Sequence, residues 1–256
     1  MSEWKVGKEV PLSEKWQGRR VGLLDALLHA RESIIEGRGL WSVTGGDTIE
    51  SLMYFTIGWA SNTQFNDGKD QEWRDFRQWL DEVEPKARYE GWQVTFLREC
   101  DGDHGRAIMK LLGRAHEFVS LGRRNERVMT EKRVIKEEPI PEEWRGRRVG
   151  LMDALLYARQ QIHKKRGLWF VTGFDTVESL VAFTLGWASN TQFNGGEDLE
   201  WQEFWDWLRD VKKEMPPEGW HVKYLRDCDG DHERAALKFL DFAHEFVTAR
   251  RAPPKP

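Results

Sequence analysis

Cysteine is scarce in this 256-residue chain, which carries only Cys100 and Cys228. They occupy equivalent positions in two copies of a repeated sequence, so one cysteine per copy cannot cross-link either copy internally. This excludes a disulfide-stabilised scaffold and favours a reducing compartment. Residues 1–5 also lack the apolar stretch of a signal peptide, and we therefore expect a cytoplasmic protein.

Other absences narrow the function. No apolar run approaches the length of a membrane span, so no membrane partner is expected. The net charge is −4 and the pI is about 6.0, without the basic stripe of a nucleic-acid binder, so no nucleic-acid partner is expected. No catalytic or nucleotide-binding signature occurs. These observations favour a non-enzymatic protein without a cofactor.

A long internal repeat is the main feature that is present. Residues 6–119 recur as residues 134–247 without a gap, and about 70 of the 114 aligned positions are identical. A unit of this length is the size of a whole domain rather than of a solenoid repeat. The sequence therefore predicts a first repeat domain at 1–125, a charged linker at 126–133 and a second repeat domain at 134–256, forming a pseudo-dimer within one chain.

Hydrophobic periodicity predicts the order α-β-α-α-β-α in each copy. Helices are expected at 21–35, 49–60, 73–83 and 104–119, with equivalents 128 residues later. Strands are expected at 40–44 and 92–98, where Trp92, Val94 and Phe96 alternate. Asp47 and Asp175 are expected to cap the second helix of their copy. The fold class predicted is α+β, predominantly helical, with two tandem domains related by pseudo-two-fold symmetry.

Tryptophan is abundant, with 14 residues, and most of them pair between the copies. Most are expected in the cores, but some follow an acidic loop and fit an exposed aromatic anchor surrounded by carboxylates. Such a surface suits a basic protein partner. The predicted acidic surface comprises Asp70, Glu72, Trp73, Asp75, Asp198, Glu200, Trp201, Glu203 and Trp205. Charge reversal at Asp198, Glu200 and Glu203 is expected to slow association more than it lowers stability.

The string Cys-Asp-Gly-Asp-His provides an alternative site. It occurs at 100–104 and again at 228–232. Cys100, His104, Cys228 and His232 could together hold one zinc ion, or each Cys–His pair could serve a nucleophilic enzyme. The spacing is not that of a standard zinc finger, and a turn in which Asp103 caps the next helix explains the same residues.

Residues 73–119 and 201–247 resemble the C-terminal part of small cytoplasmic immunity proteins from bacterial contact-dependent toxin systems with lipoprotein-borne toxins. The segment 218–235 carries the resemblance, through Glu-Gly-Trp-His-Val-Lys-Tyr-Leu-Arg-Asp-Cys and Asp-Gly-Asp-His-Glu-Arg-Ala. The resemblance implies a non-catalytic protein that binds and occludes a cognate toxin, here as a tandem duplication. Two other hypotheses stay open: a metal-binding or Cys/His-dependent enzyme, and a scaffold that binds two identical ligands.

Overall fold

The computed structural model describes residues 19–66, 68–122 and 142–252, and its regular elements there are all helical. The first repeat contains α1 (Leu23–Ile35), α2 (Trp41–Thr44), α3 (Ile49–Asn66), α4 (Gln71–Val83), α5 (Ala87–Glu90), α6 (Trp92–Glu99) and α7 (His104–Ser120). A 3₁₀ turn at Glu142–Trp144 precedes α8 (Leu151–His163), α9 (Trp169–Thr172), α10 (Val177–Phe193), α11 (Leu199–Asp210), α12 (Trp220–Asp227) and α13 (His232–Arg250). The predicted linker at 126–133 lies outside the described residues.

The predicted α+β class is wrong, because both predicted strands of each copy are helices. The run 92–98 lies within α6, and its equivalent lies within α12. Trp220, Tyr224 and Cys228 are buried at a spacing of four, while Val222 is 41% exposed. Positions four residues apart share a face in a helix and in a strand alike. The alternation of Trp, Val and aromatic residues therefore fits a strand or a helix. The exposure of Val222, between buried Trp220 and Tyr224, agrees with the helical period.

The first predicted strand, residues 40–44, is the short helix α2, and residues 168–172 form α9 in the same way. Leu168 and Thr172 are buried at a spacing of four, and the Thr172 hydroxyl donates to the carbonyl oxygens of Leu168 and Phe174. These bonds satisfy the hydroxyl group of Thr172 within a helical turn, so this β-branched residue is compatible with a helix. The described residues accordingly contain no parallel strand pair.

The predicted caps of the central helices are displaced by one residue. Thr176, not Asp175, is the N-cap of α10, and its side chain accepts a hydrogen bond from the Ser179 amide. Asp175 instead accepts from the amide of Trp169 at 2.8 Å. Threonine and aspartate are both favourable N-cap residues. Either residue of the Asp-Thr pair could therefore begin the helix, and the sequence alone does not show which one does.

Each repeat buries its own apolar cluster, and each cluster is completed by side chains from the other repeat. Phe65 of the first repeat packs against Trp144 and Trp187 of the second, with ring centroids 5.0 and 6.0 Å apart. In the reverse direction, Phe193 packs against Trp59 at 5.8 Å. Exchange of equivalent contacts in both directions is the pattern of an isologous interface.

The central contact is between α3 and α10, which touch backbone to backbone. A Cβ atom added to Gly58 would lie 2.0 Å from the carbonyl oxygen of Phe183, and one added to Gly186 would lie 2.0 Å from that of Phe55. The distance between packed helices is set by the side chains at the contact. Only glycine leaves room for an approach this close.

We therefore expect Gly58→Ala to lower the free energy of unfolding by about 3 kcal/mol or more, at the upper end for overpacking, because a carbonyl in a helix cannot move aside as a side chain can. Gly113→Ala is the control, since Gly113 lies in α7 with no atom within 4 Å of its added Cβ. That change should be neutral or should stabilise by up to about 1 kcal/mol. Urea unfolding measures both, and equal effects would contradict the close contact.

Candidate functional site

The tryptophans of the predicted acidic surface lie inside the cores. Trp73, Trp201 and Trp205 are 9%, 8% and 9% exposed. Trp201 packs on Phe204 and Trp205, and Trp73 packs on Phe76. These buried rings pack α4 and α11 against the cores of their repeats. Little of their surface is exposed for contact with a partner.

Two carboxylates of the predicted acidic surface hold helices together. Asp198 caps α11 by accepting from the Trp201 amide at 3.1 Å, and it also accepts from the Leu151 amide at 2.8 Å. Asp70 does the same in the first repeat, at 3.0 Å from each of the Trp73 and Leu23 amides. Each aspartate thereby satisfies unpaired amides at the start of two helices.

The remaining carboxylates of that surface have partners within the chain. Glu200 accepts from Arg251, and Glu203 accepts from Arg250, which holds the pKa of Glu203 below its usual value. In the first repeat, Asp75 accepts from the Gln71 side chain at 2.7 Å. Glu72 is partly buried beside Gly22. The carboxylates of the second repeat thus lie beside arginines that offset their charge.

The structure does not assemble the alternative Cys/His site. Cys100 and Cys228 are buried free thiols. His104 and His232 each accept, through Nδ1, from the first amide of a central helix at 3.4 Å. The part of the chain that the structure describes holds no group of three or more His, Cys, Asp and Glu residues suited to a metal ion. Asp103 and Asp231 cap α7 and α13, as the turn interpretation predicts.

Four asparagines near the C-terminal ends of α3 and α10 form a reciprocal hydrogen-bonded set, here called the asparagine clamp. Asn62 donates to the carbonyl of Trp187 at 3.0 Å and to the Thr191 hydroxyl at 2.8 Å. Asn190 makes the equivalent bonds to the first repeat. Buried amides with satisfied hydrogen bonds fix one relative position of two helices, because any slip would leave them unpaired.

The outer members of the asparagine clamp bind backbone on both sides. Asn66 accepts from the Val149 amide at 2.7 Å and donates to its carbonyl at 3.0 Å, while Asn194 bonds Val21 equivalently. Asparagines that follow an apolar helix indicate helix C-capping and loop hydrogen bonds, or a contact surface, and that local pattern does not predict bonds between the repeats. The signal for the asparagine clamp was the longest unbroken identity between the copies, the nine residues Gly-Trp-Ala-Ser-Asn-Thr-Gln-Phe-Asn at 58–66 and 186–194.

A different surface combines carboxylates with one exposed aromatic ring, that of Trp169, and with the largely buried rings of Tyr54 and Phe174. It lies at the N-terminal ends of α3 and α10, and we call it the acidic-aromatic face. Its members are Glu50, Tyr54, Trp169, Phe174, Asp175 and Glu178. Trp169 is 54% exposed beside Asp175. Tyr54 contacts Phe174 across the repeat interface, with ring centroids 4.9 Å apart.

The glutamates of the acidic-aromatic face lie beside histidines, since the Nδ1 atoms of His104 and His232 are 3.4 and 3.5 Å from carboxylate oxygens of Glu50 and Glu178. Burial raises the pKa of Tyr54, and the nearby charges of Glu50 and Glu178 raise it further. Among the residues that the structure describes, neither these two glutamates nor Asp175 pairs with a lysine or arginine. The positive ends of α3 and α10 stabilise acidic residues at this position.

The aromatic pair of the acidic-aromatic face is not repeated in the sequence. The equivalent of Tyr54 in the second repeat is Ala182, and the equivalent of Phe174 in the first is Gly46. The large pair Tyr54 and Phe174 therefore lies on one side of the interface, and a small pair occupies the other. A ligand that requires the pair of Tyr54 and Phe174 would bind once per chain.

Comparisons with protein-family models, with curated proteins and with solved structures found no match to this chain. None of the described helices has both the length and the apolar character needed to cross a membrane. What the chain does must therefore be inferred from its own surfaces.

We expect Asp198→Ala to lower the free energy of unfolding by about 2–3 kcal/mol, because it removes a helix cap and leaves the Leu151 amide unpaired. Glu197→Ala is the control, since Glu197 is the exposed neighbouring carboxylate and should change stability very little. Urea unfolding followed by circular dichroism measures both. If the two variants unfold alike, Asp198 does not join the helices as described.

Proposed function

We propose that this chain is a non-catalytic binding protein of the cytoplasm that neutralises a basic protein partner, as an immunity protein does its toxin. The observation that carries the proposal is the acidic-aromatic face, where Trp169 is exposed beside Asp175. Asp175, Glu50 and Glu178 have no lysine or arginine partner among the described residues. Exposed tryptophans are frequent binding hot spots. The resemblance of residues 201–247 to immunity proteins supports the same function.

The charge of this face sets the class of partner. Glu50, Asp175 and Glu178 carry negative charge that Lys and Arg side chains of a partner would neutralise, which speeds association by electrostatic steering. The predicted acidic surface at Glu200 and Glu203 is a weaker candidate, because Arg250 and Arg251 already compensate it. Since the aromatic pair occurs once, we expect one partner per chain rather than two.

The metal or Cys/His enzyme receives no support from the described residues. Cys100 and Cys228 are buried, and the histidines of the same motif bond the amides that begin α3 and α10. A nucleophilic site needs an accessible nucleophile together with a base and an oriented third group. Cys100 and Cys228 are only 6% and 7% exposed, which limits the access of a substrate to their thiols.

The experiment begins with affinity capture of a partner from cells of the source organism, followed by its purification. Production of the partner alone should arrest growth of a host cell, and production together with this chain should restore it. Binding kinetics are then measured with the wild type and with Asp175→Lys/Glu178→Lys. We expect association at least about tenfold slower for the double variant, with the difference shrinking at high salt.

Trp169→Ala tests the aromatic part of the face and should accelerate dissociation of the same partner by at least about tenfold, as expected for a hot-spot residue. Glu233→Lys is the charge-reversal control, with half the charge change of the double variant, since Glu233 is an exposed carboxylate in the first turn of α13. A partner whose rates ignore the three changes at the face, or respond equally to the control, would show that the face is not the docking surface.

A further inference from the structure

We propose that a pocket between the two repeats binds a small organic anion carrying a phosphate or carboxylate group. The seam pocket, as we name it, has a volume of about 720 Å³, within the range of roughly 300–1,000 Å³ for small-molecule sites. Phe65 and Asn66 line it from α3. The turn at 144–148 and the end of α10 at 190–196 line it from the second repeat.

The lining of the seam pocket is basic. It contains Arg145, Arg147 and Arg148, and no aspartate or glutamate is among the described residues that line it. Arg147 is already neutralised, because it bonds Asp153 at 2.7 Å. Burial alone would raise the pKa of Asp153, but the hydrogen bonds from Arg147 and Arg251 outweigh it and hold that pKa low. Asp153 is therefore charged, and Arg147 adds no net charge to the pocket.

Arg145 and Arg148 differ from Arg147, because neither guanidinium has a carboxylate partner among the described residues. The Arg148 guanidinium lies against Gly196, where a Cβ atom would come 2.1 Å from its Nη2. Gly196 thus provides the space that keeps this guanidinium in the pocket wall. A planar guanidinium presents paired donors that match the oxygens of a phosphate or carboxylate.

The sequence at these lining positions is more basic in the second repeat than in the first. The positions equivalent to Arg145 and Gly195 in the first repeat are Gln17 and Asp67. The second repeat therefore gains a positive charge and loses a negative one at the lining positions. These two positions differ between the repeats, so their charges are not simply a consequence of the duplication.

Part of the pocket lining is aromatic. Phe65 and Trp144 meet edge to face at 5.0 Å and both line the pocket. An anion with an attached ring would place its charge at the arginines and its ring against this aromatic part. Because the lining comes from both repeats, such a ligand would bind only when they are assembled, and it would stabilise the folded chain by mass action.

The test is isothermal titration calorimetry of the full chain at constant ionic strength, with phenyl phosphate, benzoate and inorganic phosphate as separate probes. We expect one site per chain, with a Kd below about 1 mM for at least one of the two aromatic anions. Tighter binding of phenyl phosphate assigns the site to phosphate esters, and tighter binding of benzoate assigns it to carboxylates. No binding of any probe would overturn the proposal.

Three variants locate the binding. Arg148→Gln and Arg145→Gln should each weaken it by about tenfold, as expected for loss of a charge-assisted hydrogen bond. Gly196→Ala should weaken it without a change of charge, because the added methyl group displaces the Arg148 guanidinium. Lys164→Gln is the control, since Lys164 is exposed and not part of the lining. Equal weakening by the control, or none by the three variants, would show that the anion binds elsewhere.

The Arg145→Gln variant guards against misfolding as an explanation, because its side chain is exposed and glutamine is the residue of the first repeat at this position. Its unfolding curve without ligand should match that of the wild type. This inference does not rest on the docking of a basic partner. Loss of anion binding with unchanged partner kinetics, or the reverse, would separate the two proposals.

Discussion

The arrangement of this protein depends on the close approach of two helix backbones at Gly58 and Gly186. The missing side chains at these positions let α3 and α10 touch at their carbonyls, and this proximity brings Phe65 and Phe193 into the core of the opposite repeat. Asn62 and the other members of the asparagine clamp then select one register. Dispersion and burial provide the attraction, while the buried amides make alternative registers costly.

The same contact gives the molecule an electrostatic polarity. Contacts advance along both helices together, from Tyr54 with Phe174 to Asn62 with Thr191, so α3 and α10 run in the same direction. Their positive ends therefore meet at the acidic-aromatic face, and their negative ends meet at the seam pocket with its arginines. Each charge set lies where the helix dipoles stabilise it. Among the described residues, an acidic and a basic surface thus lie at opposite ends of one helix pair.

The sequence was informative where one periodicity was sustained over several turns. The helices beginning at Leu23 and His104 lie close to their predicted bounds, and the central helix is buried as expected. Short segments failed, because a spacing of four, as in Trp220 and Tyr224, fits a strand as well as a helix. The predicted acidic surface failed as a set of exposed anchors for a related reason. The local sequence pattern does not show that the Trp201 side chain is buried. Nor does it show that Glu200 pairs with Arg251, which is fifty-one residues away in sequence.

Contacts between the repeats were the hardest feature to predict, because the sequence around Asn62 does not indicate that its side chain bonds a residue 129 positions away.

The most direct test of the account is the ratio of calorimetric to van't Hoff enthalpy for thermal unfolding of the full chain. If α3 and α10 join the repeats into one cooperative unit, the ratio is about 1, with a single transition. Two separate transitions, or one transition with a ratio of about 2, would mean that the repeats unfold independently and would contradict the central role of the glycine contact.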